Sequence, residues 1–92
     1  GVDVRVKIRG KYWRLRTTGK LKHPGECHAP WKKKKQILIN ESLKSGSLVE
    51  LDTLIHELLH ACVWDLSEET VRETATSIAK VLYDLGARVD LR

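Results

Sequence analysis

Apolar residues follow two different rhythms along this chain. Val2, Val4, Val6 and Ile8 alternate with Asp3, Arg5, Lys7 and Arg9, and further on Trp13 and Leu15 alternate with Arg14 and Arg16. A period of two belongs to half-buried strands. With Arg9-Gly10-Lys11 as the turn, residues 2–16 are expected to form a β-hairpin with one apolar and one basic face. Residues 17–35, punctuated by Gly19, Pro24, Gly25 and Pro30, read as irregular. Ile37 and Ile39 restore the alternation, which predicts a strand over 36–40 paired with the hairpin.

The second rhythm is helical. Leu48, Leu51, Leu54, Ile55, Leu58, Leu59 and Cys62 recur at i, i+3 and i+4. Ser47 and Glu50 stand in the S-x-x-E form of a capping box, and Gly46 breaks the chain before it. Val71, Ala75, Ile78, Leu82 and Leu85 repeat the pattern with Ala79 at the margin, and Gly86 is placed to end that helix. Two helices are expected, at about 47–64 and 67–86, and the short Asp65-Leu66-Ser67 link makes them antiparallel neighbours. The expected architecture is one α+β domain over residues 1–92, a small antiparallel sheet from 2–16 and 35–40 covered by the two helices.

Definite chemistry lies on the first helix. His56 and His60 are four residues apart, so their imidazoles project from one face, one turn apart. Both Nε2 atoms can then reach one Zn²⁺ at about 2.0–2.1 Å. Glu57 would lie beside the metal rather than on it, where it can take a proton from an activated water and pass it to a leaving amine. Val49, Thr53, His56, His60 and Val63 run in a strip beside the apolar face, at the edge where a cleft could open.

Residues 53–62 resemble the extended H-E-x-x-H signature of zincin metallopeptidases. Thr53 stands three before the first histidine, the uncharged Leu54, Leu58, Leu59 and Ala61 flank the pair, and Cys62 closes the run. The likeness extends over about residues 47–88. It is similar to small phage-encoded metallopeptidases and, more distantly, to the ImmA/IrrE and SprT-like groups. The resemblance implies a minimal zincin-like fold, a Zn²⁺ cofactor, Glu57 as general base, and a peptide or protein substrate. It also implies that the strand before the helix, residues 36–40, binds that substrate as an added strand.

A catalytic zinc takes three protein ligands and leaves one position for water. Glu68, Glu69 and Glu73 are the candidates. The midpoint of His56 and His60 lies about six residues, roughly 9 Å, before the expected end of the first helix, and an antiparallel partner reaches that level near Glu73. A helical wheel points the other way: from Val71 at 0°, Glu68 falls at about 60° and Glu73 at about 200°. Thr70, Glu73, Thr74 and Ser77 make a polar strip suited to a cleft, so Glu73 is the expected third ligand, with Glu69 a turn away in support. Carboxylates at Glu68 and Glu69 would otherwise serve the helix dipole. For a second group on the substrate carbonyl, Tyr83, His28, His23 and Arg88 stay open.

Charge adds one further surface. The net charge is +5, but residues 1–35 carry twelve basic and two acidic side chains whereas the rest carry five and ten. The basic hairpin face and the lysine run Lys32–Lys35 suit either solvent or a nucleic-acid partner, and a nucleic-acid-binding or non-proteolytic metal-binding module is the alternative function. Two cysteines, Cys27 and Cys62, make no disulfide framework, and His23, Cys27 and His28 lack the spacing of a structural metal site. No apolar run approaches the roughly 20 residues that span a bilayer, so no membrane role is expected and the compartment is read as cytoplasmic, that of the host if phage-encoded.

Overall fold

The computed structural model describes all residues Gly1–Arg92, in four strands followed by two helices. Strand β1 (Asp3–Ile8) and strand β2 (Lys11–Thr18) form the expected hairpin, with Val4 opposite Leu15 and Val6 opposite Trp13 on the inner face. Arg9 and Gly10 both take positive φ, 49° and 80°, the geometry of a two-residue turn whose twist matches the strands it joins.

Beyond the hairpin the sheet departs from the antiparallel expectation. A short strand, β3 (Gly25–Cys27), forms inside the stretch read as irregular, and β4 (Gln36–Asn40) follows it. The order is β1-β2-β4-β3, with β4 parallel to β2 and antiparallel to β3. The seventeen residues between β2 and β4 are long enough to carry the chain back before it pairs again, and that return makes a parallel pair accessible. One consequence is a correction: β4 is an interior strand, paired on both sides, and the open edge on that flank is β3.

Trp13, Leu15, Ile37 and Ile39 from the inner face pack with Ala61 and with Leu91 from the C-terminal segment. That segment is tied down by Val2 N–H to the Leu91 carbonyl at 3.2 Å and Gly46 N–H to the Val89 carbonyl at 3.0 Å. Helix α1 (Leu48–Cys62) lies on β3 and β4, with Leu54 and Leu58 against this core. Ser47 caps it by accepting the Glu50 N–H at 3.1 Å. Glu50, only 3% exposed, reaches back to the Gly46 N–H at 3.1 Å, a capping box displaced by one residue. At the other end Arg9, from the hairpin turn, donates to the Cys62 carbonyl at 2.9 Å and fastens sheet to helix.

Helix α2 (Glu68–Asp84) packs along α1 and starts from the Ser67 cap. Its buried line is Val71, Ala75 and Ala79, whereas Ile78, Leu82 and Leu85, expected on the core face, are largely exposed. Two alanines in the contact row let the helices approach closely, so that row seats and the larger residues flank it. Gly86 (φ 98°) ends the helix, with its N–H on the Tyr83 carbonyl and Ala87 N–H on the Leu82 carbonyl, both at 2.9 Å. No helix is long and apolar enough to cross a membrane.

Gly86→Ala tests that terminus. Nothing lies within 4 Å of the added methyl group, so its effect is the positive φ alone. We expect a loss of about 1 kcal/mol and a thermal midpoint lowered by about 4–8 °C, read by circular dichroism. An unchanged midpoint would show that the terminus relaxes freely.

Candidate metal centre

Helix geometry delivers the first two groups as expected. The His56 and His60 rings meet edge-on with centroids 4.9 Å apart, and their Nε2 atoms are 3.2 Å from one another. His56, Glu57 and His60 form a group able to hold a metal ion, each offering a ligand atom within 4.8 Å of the others.

The carboxylate that meets the histidines is Glu68, the first residue of α2. Its Oε1 lies 2.7 Å from His56 Nε2 and its Oε2 lies 2.9 Å from His60 Nε2. Glu73, the expected third ligand, is exposed, and its backbone carbonyl accepts the Ser77 hydroxyl at 2.8 Å; no ion pair joins it to either histidine. Two features of the helix pair account for the difference. Helix α1 stops at Cys62, which leaves His60 in its last turn, and residues 63–67 bring the start of α2 back at that same level. The wheel position of Glu68 beside the Val71 contact row then decides the matter over the rise.

The donor set fits a cation better than protons. A neutral imidazole has at most one Nε2–H to give. If both histidines give theirs to Glu68, two N–H groups confront each other across 3.2 Å. A single divalent ion bound to both nitrogens and to the carboxylate removes that conflict. Two ligand atoms on one tetrahedral zinc stand about 3.3 Å apart, close to the spacing the nitrogens already have.

Glu57 lies on the β3 side of the site, with a carboxylate oxygen still within 4.8 Å of the histidine nitrogens. It is 7% exposed, and no protein group donates a hydrogen bond to its carboxylate. Its oxygens border the cleft. Burial pushes its pKa up to about 7, His56 works against that, and the carboxylates of Glu68 and Glu26 add to it. The cover is Gly25: a Cβ there would come within 2.8 Å of Glu57 Cγ and 2.9 Å of both its Oε2 and Thr53 Cγ2. Only a residue without a side chain lets β3 lie this close to the helix.

Two hollows meet at this point. One, about 510 Å³, is polar and is bounded by His23, Asp52, Arg72 and Thr76 beside His56, Glu57 and Glu68. The other, about 420 Å³, lies toward Cys27, His60 and Trp64. Gly25 borders both, so the β3 edge runs from one to the other past the histidines. Trp64 stands against the His60 ring at 6.0 Å and pairs edge-on with Trp31 at 5.6 Å. Cys27 contributes a half-buried thiol whose pKa is pushed up to about 12, first by burial and then by Glu57 and Cys62.

Of the four candidates for a carbonyl-binding group, only His23 borders the cleft. His28 Nδ1 is 3.2 Å from the Lys34 carbonyl in a separate hollow. Arg88 lies over the Tyr83 ring at 3.4 Å, about fifteen residues and roughly 22 Å along α2 from Glu68. Arg72, one turn after Glu68, is a cleft residue that the periodicity and motifs leave unmarked. Its i, i+4 relation to Glu68 is the one signal that points to it, and that signal counts only where Glu68 is taken as the ligand. No family model, curated protein or solved structure matches this chain.

Gly25→Ala is expected to lower stability by about 1–3 kcal/mol in urea unfolding, because the rigid Thr53 methyl cannot yield as the Glu57 chain can. An unaltered midpoint would mean that β3 retreats at no cost. A second expectation concerns pH. In metal-free protein the folded state holds the Glu57 proton more tightly than the unfolded chain, so stability falls as pH rises from about 4.5 to about 7 and is level above. Glu57→Gln removes that slope. Its advantage over wild type in chelator should grow across this window by on the order of 2–3 kcal/mol, and a constant difference would contradict a buried, unpaired carboxylate.

Proposed function

We propose that the protein is a zinc-dependent metallopeptidase of the zincin kind, with His56, His60 and Glu68 as ligands and Glu57 as the general base. The observation that carries this reading is the convergence of two imidazole nitrogens and one carboxylate beside a second, buried carboxylate on a cleft. Two histidines and a glutamate are a recurring ligand set for catalytic zinc. When bound, the ion supplies Lewis acidity to the scissile carbonyl and to the attacking water.

The chain's own residues divide the remaining work. Glu57 takes a proton from the attacking water and returns one to the leaving amine, so one water and one peptide become a carboxylic acid and an amine. Its place beside the histidines and under β3 suits both halves of that exchange. Backbone groups of β3 that do not pair with β4 point to the open edge of the sheet. An extended substrate adds there as a further strand and is held across Glu57. His23 and Arg72 border the cleft where a polarised carbonyl oxygen needs a donor. The likeness to phage-encoded peptidases makes the cytoplasm of a host cell the compartment of choice for a substrate search.

Metal content by plasma emission, on protein purified without a histidine tag, is the decisive measurement. We expect about one zinc per chain, lost in His56→Ala, His60→Ala and Glu68→Ala and kept in Glu73→Ala and Glu69→Ala. Wild type that takes up no added zinc would overturn the reading, and loss in Glu73→Ala but not Glu68→Ala would return the third ligand to Glu73. Glu57→Gln should keep its zinc and lose about 10²–10⁴-fold in peptide-library cleavage. Zinc-loaded wild type without cleavage would favour a non-proteolytic metal-binding module instead.

A further inference from the structure

The sheet face turned away from α1 carries an arrangement that the metal centre does not use. Cross-strand register sets Lys7 opposite Tyr12 and Arg5 opposite Arg14, and β4 adds Gln36 beside Arg14. The Arg5 guanidinium lies 4.2 Å from the centre of the Tyr12 ring, and Lys7 Nζ lies 5.5 Å from it. Tyr12 itself is 54% exposed. Beside it is a hollow of about 350 Å³ lined by Arg5, Tyr12, Arg14, Lys34, Lys35 and Gln36.

Acidic partners are scarce there. Arg14 is paired with Asp3 at 2.8 Å, and Arg16 gives its Nε–H to Gln36 Oε1 at 3.0 Å. Arg5, Lys7, Lys34 and Lys35 are in no ion pair. Arg5 stands opposite Arg14, whose charge Asp3 already offsets, so Arg5 is the cation left for a bound anion to meet. The Gln36 oxygen is already engaged, which leaves its amide N–H groups free to donate.

We propose that this face binds single-stranded nucleic acid, with one base against Tyr12 in the hollow and neighbouring phosphates on Arg5, Lys7, Lys34 and Lys35. The ring is what separates this ligand from other polyanions. An acidic peptide or a phosphate chain needs only the cations, whereas an exposed aromatic ring flanked by cations suits base stacking along a charged backbone. The hollow is at the small end of ligand pockets, room for one ring system. A duplex keeps its bases stacked and unavailable to a ring on a flat sheet. Binding here is independent of the peptidase reading, since none of these residues borders the metal centre.

Fluorescence polarisation with a labelled single strand of about twelve nucleotides, within the usual span of such sites, tests the proposal. Wild type is compared with Tyr12→Ala, Tyr12→Phe and the double variant Lys34→Ala/Lys35→Ala. Tyr12→Ala should weaken binding about 5- to 100-fold, the effect of removing one stacked base. Tyr12→Phe should stay within about twofold, because the ring face is retained. The double lysine variant should lower the slope of log affinity against log salt by about 1.4, or about 0.7 for each phosphate left without its lysine. Inorganic polyphosphate should bind wild type and Tyr12→Ala alike. Circular dichroism and the thermal midpoint report the fold of each variant. Three results would each overturn the proposal: no binding at about 50 mM salt, where such interactions are strong; equal oligonucleotide affinity for wild type and Tyr12→Ala; or phosphatidylserine vesicles bound as tightly as the oligonucleotide.

Discussion

The candidate centre depends on the grip that two elements exert on α1. On one side Gly25 lets β3 lie against Glu57 and Thr53, and on the other the first residue of α2 sets its carboxylate on His56 and His60. Neither neighbour reaches the helix by accident. The β3 contact is possible because Ile37 and Ile39 seat β4 in the core and β3 hangs from β4. The α2 contact is possible because Val71, Ala75 and Ala79 leave a flat row for close packing. The ends of α1 are pinned as well, by buried Glu50 at the start and by Arg9 on the Cys62 carbonyl at the finish. A helix held in this way cannot slide or roll without breaking one of those contacts, so its two histidines have a fixed place to point.

That grip also divides the carboxylates by role. Glu57 is covered, takes no hydrogen bond from the chain, and holds its proton to near neutral pH. Glu68 is solvent-facing apart from its contact with the histidines. Two acidic groups a few ångströms from the same imidazoles thus have different chemistry, set by which of them the sheet covers.

The sheet separates two kinds of surface. Its inner row of Val, Trp, Leu and Ile residues builds the core, and its outer row collects Arg5, Lys7, Tyr12, Arg14 and Arg16. Strand alternation is why these cations do not crowd the candidate centre: each has its side chain on the far side from α1. The acidic half, in the helices, is what lies around the histidines, and a divalent cation is better accommodated there.

The amino-acid sequence determined whatever depends on neighbours a few residues away. The hairpin and its turn, the capped start of α1, the ending of α2 at Gly86, and His56 and His60 on one helix face are all legible in it, because period, φ preference and capping act within a turn or a strand. Only the tertiary structure decided where those pieces meet. That β4 is interior and β3 is the edge follows from the chain returning parallel to β2, which no local pattern encodes. That Glu68 and not Glu73 reaches the histidines follows from where α1 stops and how the alanine row seats α2 against it. A shift of one helical turn, about 5.4 Å, is enough to exchange one carboxylate for another, and such a shift is settled by packing between segments distant in sequence.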